Sequence, residues 1–341
     1  MRKRTLFGII LLAFCIVCRF FTSAADFYAE KIYPVLSAGL SWLGAIFPFS
    51  LEEVVVAGFV IALVCLVVKA IRAREKFAHW LGKTLVTLMW VAVWFYMGWG
   101  NNYYRTGLYE RNGIQRVSYD ETVFNAFLKD FAQELNESAA KAEDYDATIL
   151  EQEVKPFYSN EVSQYGYARL HGWQHIKKPI FNRLFSAVLV SGYFGPFFCE
   201  SQVNRDLSNT EYPYVVAHEL AHLAGVTSEA EASYWGFEYC RSSENSAERY
   251  SGYLEMLPYV LQQAHYLLPE ENYNSFVDTI CEKAKADYQT NRERWKERQI
   301  GWIEKIQRMM QDILLKGHGV SAGRKDYYGV VSMIITMDAA K

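Results

Sequence analysis

The sequence predicts a membrane α-helical region over residues 1–104 followed by a mainly α domain with a small β component (α+β) over residues 105–341. Three observations carry this expectation. The chain is 51% hydrophobic and 16% aromatic, high for a soluble protein, and its apolar runs concentrate in the first hundred residues. Charge divides at the same place: residues 1–100 hold ten Lys/Arg and five Asp/Glu, a net of +5, leaving 25 and 33, a net of −8, for the rest. The third is the stretch 212–225, Tyr-Pro-Tyr-Val-Val-Ala-His-Glu-Leu-Ala-His-Leu-Ala-Gly, which places two histidines four residues apart inside a bounded helix. An acidic domain behind a basic, apolar segment argues against nucleic acid as a partner and makes the lipid bilayer the expected one.

The chain opens on Arg2, Lys3 and Arg4 before an apolar run, a first span at about 5–22 with Arg19 able to snorkel. Ser23-Ala24-Ala25 resembles a signal-peptide cleavage site, but a retained span is the preferred reading. Residues 32–51 are uncharged yet contain Pro34, Pro48, serines and glycines. Leu36, Leu40, Leu43 and Phe47 fall at helical spacing, so an interfacial helix at about 35–47 is expected rather than a crossing. Further spans follow at about 54–71 and 84–101, the second ending in an aromatic cluster of the kind found at membrane interfaces. Basic residues at the N-terminus and over 69–83 put both in the cytoplasm, so that three spans deliver the domain to the outer side.

Beyond residue 104 the chain reads as helical scaffold, with Phe124, Phe127, Leu128 and Phe131 on one helix face. Leu184–Tyr193 reads as a strand and Phe197–Asn204 as a second, with Glu200 and Asn204 serving turn and cap chemistry or shaping a cleft. Residues 244–315 read as long amphipathic helices, with Arg292–Arg308 as a solvated face. Cys199, Cys240 and Cys281 are the only cysteines outside the apolar region, and no disulfide framework or cysteine zinc site is expected.

The chemistry gathers at His218-Glu219-Leu220-Ala221-His222. Residues four apart share a helix face, so both imidazoles can hold one cation, most often Zn2+, with Glu219 as general base on water. Pro213 suits the first turn, Ser208, Asn209 and Thr210 offer caps, and Gly225 suits the position past the C-terminus. Two histidines want a third protein ligand. Glu231, beside the small Ala232 and Ser233, is the choice; Glu229 is the rival, and Ser228-x-x-Glu231 also reads as a capping box that needs no metal. Tyr250 is a candidate oxyanion donor. His171 and His175 are also four apart, but with Lys177 and Lys178 adjacent they read as surface or packing residues.

Together with Pro48-Phe49-Ser50, Trp99-Gly-Asn-Asn-Tyr103, Tyr250-Ser-Gly252 and Tyr328-Gly329, these motifs resemble a bacterial family of uncharacterised membrane proteins, a domain of unknown function with a zincin-type motif. That family in turn resembles metallopeptidases whose zinc is held by two histidines and a glutamate on a following helix. The resemblance spans nearly the whole chain. The likeness to those metallopeptidases carries over His218, Glu219 and His222, and less closely Glu231 as third ligand, while the family label itself implies no substrate; joined to the topology, the expectation is a zincin-like extracytoplasmic domain in the bacterial cytoplasmic membrane that hydrolyses a peptide or protein substrate. The rival expectation is a non-catalytic membrane scaffold or sensor with a structural metal helix. An intact Glu219 favours the enzyme, since a structural site needs only ligands.

Overall fold

Sixteen α-helices and one two-stranded hairpin make up the described part of the computed structural model, which covers residues 3–72, 77–118, 120–142, 145, 147–318 and 329–341. Arg2, Arg74 and Lys76 of the basic clusters, and Gly319, Gly323, Tyr327 and Tyr328, lie outside the described residues. In order, α1 (Lys3–Phe20) and α2 (Thr22–Phe27) lead through a π-helical turn (Tyr28–Ile32) to α3 (Tyr33–Ala45). Then come α4 (Leu51–Arg72), α5 (Phe77–Gly98), a 3-10 turn (Gly100–Tyr104), α6 (Leu108–Arg111), α7 (Glu121–Lys141), α8 (Ala147–Asn160) and α9 (Asn182–Ala187). Strands β1 (Gly192–Gly195) and β2 (Glu200–Val203) precede α10 (Tyr212–Leu223), α11 (Glu229–Ser242), α12 (Ser246–Leu267), α13 (Glu270–Thr279), α14 (Glu282–Arg298), α15 (Gly301–Gly317) and α16 (Val330–Ala339).

Among the described residues, two helices are long and apolar enough to cross a membrane, over Leu51–Lys69 of α4 and His79–Gly98 of α5. The expected first span corresponds to α1, which is joined to the helical stretch Thr22–Ala45 at a bend of 117°; a third crossing exists only if this bent pair forms one. Helix α4 begins at Leu51, earlier than expected, so that Glu52 and Glu53 lie in its first turn. Backbone N–H groups of distant loops bond both Glu53 oxygens and one oxygen of Glu52 there. Glu52 accepts from Phe197 (2.9 Å) and Phe198 (3.1 Å), and Glu53 from Ile180 (2.6 Å) and Phe181 (3.0 Å). In return Glu200 accepts from the backbone N–H groups of Leu51 (3.3 Å) and Glu52 (2.9 Å), capping α4, while Lys177 at 2.5 Å neutralises it.

Helix α3 occupies the place of the expected interfacial helix, but its faces are used differently. Ser37, Ser41 and Gly44 are buried against the protein, whereas Val35, Trp42, Leu43 and Ile46 are exposed. The hydroxyls survive burial because Ser41 donates to the Ser37 carbonyl (2.6 Å) and accepts from Gln174 (2.9 Å). The aromatic end of α5 also faces the protein. Trp94 donates to the Phe197 carbonyl (2.8 Å) and Trp99 to the His222 carbonyl (2.9 Å). The end of α5 is thus in direct contact with α10.

The core is built on α10, α11 and α12, with α7, α8 and α16 packed around them. The hairpin is antiparallel, with Gly192 opposite Val203 and Gly195 opposite Glu200. Of the two expected strands, the second is present as Glu200–Val203. Much of the first, Leu184–Tyr193, is instead the short helix α9 and a turn in which Leu189 has φ 60°, and pairing begins only at Gly192. The stretch Arg292–Arg308 is not one solvated face but breaks at Gln299–Ile300 between α14 and α15. All six cysteines are free.

Candidate metal centre

Helix α10 forms much as its sequence dictates. Pro213 sits in the first turn, but no side chain from 208–210 caps it. Glu211 occupies the cap position, and its carboxylate is engaged by Trp295 (2.7 Å), Arg294 and Ser208 (N–H 2.8 Å). The C-terminus is a Schellman turn: Gly225 has φ +100°, its N–H donates to His222 (3.0 Å), and the Val226 N–H donates to Ala221 (3.1 Å). Glycine takes this φ without a Cβ penalty. The turn folds the Val226 carbonyl back onto the helix, 2.8 Å from His222 Nδ1. A carbonyl can only accept, so Nδ1 carries the proton and, in the neutral ring, the lone pair of Nε2 is directed toward His218 and Glu229.

Three donor atoms converge there. His218 Nε2 and His222 Nε2 are 3.2 Å apart, and Glu229 Oε2 is 3.3 Å from the first and 3.4 Å from the second. Among the described residues this is the one group of three that could hold a metal ion. Tetrahedral zinc with bonds of about 2.0–2.1 Å places its ligand atoms about 3.3–3.4 Å apart. The triangle therefore already has the dimensions of three ligand positions around such an ion, and the residues fit the group their motif implies.

The carboxylate that joins the two histidines in this geometry is Glu229, not the expected Glu231. Two residues along a helix rotate a side chain by about 200°, so the two acids of this first turn face opposite ways. Ser228 caps α11, accepting from the Glu231 N–H as the capping-box reading anticipated. The Glu231 carboxylate turns away and accepts from the Tyr167 hydroxyl, whose ring is covered by Arg105 (5.1 Å) and Arg111 (4.6 Å). The sequence did contain a signal for this arrangement. Glu229, Ala232, Ser233 and Gly236 fall at i, i+3, i+4 and i+7, and this small-residue face is the one packed on α10. A Cβ at Gly236 would come within 3.1 Å of the His218 nitrogen.

Glu219 projects toward β1. A Cβ at Gly192 would meet its Oε1 at 2.3 Å and its Cγ at 2.6 Å, so glycine makes room for this carboxylate. Burial pushes the Glu219 carboxyl up to about 8, against the pull of His222. Burial also disfavours the charged form of both histidines. It prevails at His218, whereas at His222 the negative charge of Glu229 outweighs it and raises the proton affinity. Burial likewise opposes the Glu229 charge, but His222 and His218 hold its carboxyl well below the usual range. The same charge that draws a proton to His222 would draw a divalent cation.

Tyr250 is not at this centre. Its hydroxyl donates to Asp287 (2.7 Å) and Lys283 lies over its ring, so its partners are on α14. A tyrosine the sequence did not single out, Tyr193 on β1, feels the carboxylates of both Glu52 and Glu219, and burial raises its phenol above the ordinary value. His171 stacks on Trp173 (4.3 Å) and His175 lies 3.7 Å from Glu151, in keeping with packing and surface roles.

Among the described residues, the fold and centre define a mostly helical chain with two helices suited to a membrane and a group of two buried histidines and a partly buried glutamate that could hold a metal. The chain belongs to a family of proteins of unknown function (DUF3810), matched over residues 28–335. No curated protein and no solved structure matches it.

Proposed function

We propose that this chain is a membrane-anchored, zinc-dependent peptidase in which His218, His222 and Glu229 hold the metal and Glu219 is the general base. The observation that carries this reading is the triangle of Nε2, Nε2 and Oε2 atoms, 3.2–3.4 Å on a side, with a catalytic-type carboxylate on the same helix. Bound there, zinc would supply a Lewis acid that polarises the scissile carbonyl and acidifies the attacking water. Glu219 takes the proton of that water and passes it to the leaving amine. Burial raises its proton affinity above that of an ordinary carboxylate, the direction that favours accepting a proton from water. His222 is fixed in the tautomer that binds through Nε2 by its hydrogen bond to Val226. Ligands alone would suffice for a structural metal, and such a site gives no reason for a carboxylate buried beside it at Gly192.

The substrate class is a peptide or protein segment. The basic residues flanking the apolar helices favour a domain outside the cytoplasm. The test is a peptide-library cleavage assay on the purified full-length protein with zinc measured in parallel. Wild type is expected to cleave, and Glu219→Gln to keep its zinc while losing turnover by orders of magnitude. A Glu219→Gln protein that cleaves as fast as wild type would refute the mechanism.

A further inference from the structure

We infer that α15 is an in-plane membrane helix, lying in the lipid headgroup region on the face of the bilayer where α4 starts and α5 ends. Its apolar side is turned away from the protein. Trp302, Ile306, Met309, Met310 and Ile313 are between 46% and 69% exposed. They recur at i, i+4, i+7, i+8 and i+11, which is one continuous stripe on a helix. The opposite side carries the buried residues, Glu304 and Leu315. A water-soluble helix has the reverse arrangement, with its apolar stripe inward. Lys305 and Lys316 border the stripe, where their stems can reach out of the acyl region to lipid phosphates.

The position of both helix ends identifies lipid as the occupant. The start of α4 and the end of α5 hold one common loop. Glu52 of α4 accepts from Phe197 and Phe198, and Trp94 of α5 donates to the Phe197 carbonyl. If α4 and α5 cross the bilayer, these ends emerge on the same side. At its N-terminal end, α15 is tied by the Ile300 N–H to the Ala187 carbonyl (2.9 Å) of α9. The segment leading into α9 is itself held to α4, because Ile180 and Phe181 donate to Glu53. At its C-terminal end, His318 stacks on Tyr103 (4.6 Å) and lies 3.2 Å from the Tyr96 hydroxyl, at the end of α5. A helix of 17 residues, about 25 Å long, is therefore pinned at both ends to the same bilayer face. Phe181 and Leu184, half exposed beside its start, extend the apolar surface toward α4.

The experiment uses the full-length protein in lipid nanodiscs of phosphatidylcholine and phosphatidylglycerol. Cys65, the exposed native cysteine, is replaced by serine. A nitrobenzoxadiazole label is attached in turn to Trp302→Cys, Ile313→Cys and, on the far side of the helix, Gln311→Cys. Lipids spin-labelled at a shallow or a deep acyl position are the quenchers. Labels at 302 and 313 are expected to emit to the blue of the label at 311. They should be quenched several-fold, more by the shallow quencher, and equally at the two positions. Equal depth is the signature of an in-plane helix, since a helix running along the bilayer normal would separate the two labels by about 16 Å. Quenching that differs strongly between 302 and 313 overturns the proposal. So does insensitivity of both to spin-labelled lipid, including the case in which they crosslink two copies of the chain.

Discussion

Replacing Gly192 by alanine tests the placement of the proposed base without touching a metal ligand. The added Cβ would lie 2.3 Å from Glu219 Oε1, 2.6 Å from Cγ and 2.7 Å from Cδ. Ordinary contact for such atoms is about 3.5 Å, so the carboxylate must retreat by about 1 Å. The backbone imposes no further penalty, because Gly192 is strand residue rather than one of the positive-φ glycines. A shift of about 1 Å in a reacting group costs about 10²-fold in rate. Gly192→Ala is therefore expected to fold, to retain zinc at the wild-type level, and to lose about a hundredfold in kcat. The assay is turnover of a library-selected peptide, with zinc quantified on the same sample. Turnover within a factor of two of wild type would refute the reasoning, as would a loss of zinc that tracks the loss of activity.

Three other outcomes follow from the same geometry. Gly225→Ala should destabilise the protein by about 1 kcal/mol or more, since φ +100° is strained for alanine and the Cβ would approach Tyr33 to 3.0 Å; by moving the Val226 carbonyl it should also weaken zinc affinity about 10–100-fold, measurable by chelator competition. Lys177→Met removes the cation from a buried pair and leaves Glu200 charged at the start of α4, a loss of about 3–5 kcal/mol that thermal or chemical denaturation of the purified protein would register. Acidification should strip zinc: a protonated imidazole is not a ligand, and because Glu229 raises the proton affinity of His222, competition sets in at a higher pH than for an ordinary histidine. Zinc held at pH 8 should be lost on dialysis at pH 5, and undiminished content at pH 5 would contradict the ligand assignment.

The helix bearing His218, Glu219 and His222 was legible because every determinant is local: the four-residue spacing, Pro213 at the entry and Gly225 at the exit. The phase of α11 was harder to read, because Glu229 and Glu231 both sit in a helical first turn after Ser228. Deciding between them requires knowing which face packs on α10. The stripe that includes Gly236 carries that information, whereas proximity to Ala232 alone pointed to Glu231, whose carboxylate turns to Tyr167. Glu52, Glu53, Lys177 and Glu200 were not legible as a unit. The hydrogen bonds tying Glu52 and Glu53 to Glu200 and Ile180 join positions more than a hundred residues apart, and two acids at the edge of an apolar run look like a boundary rather than the start of a helix. Tyr250 has a sequence context that suits a catalytic role, but its partner Asp287 lies on a helix whose docking no local pattern predicts. The outward apolar stripe of α15 was hidden by the charges interleaved with it, which on a helix segregate to other faces.

The most direct test of the metal assignment is the zinc stoichiometry of two isosteric variants, Glu229→Gln and Glu231→Gln, measured on full-length protein purified with zinc supplied. A neutral amide is a poorer ligand than a carboxylate. The account predicts one zinc per chain in wild type and in Glu231→Gln, and a sharp loss in Glu229→Gln, whose Oε2 position lies 3.3 and 3.4 Å from the two histidine nitrogens. Full zinc in Glu229→Gln, or its loss in Glu231→Gln alone, would contradict the account.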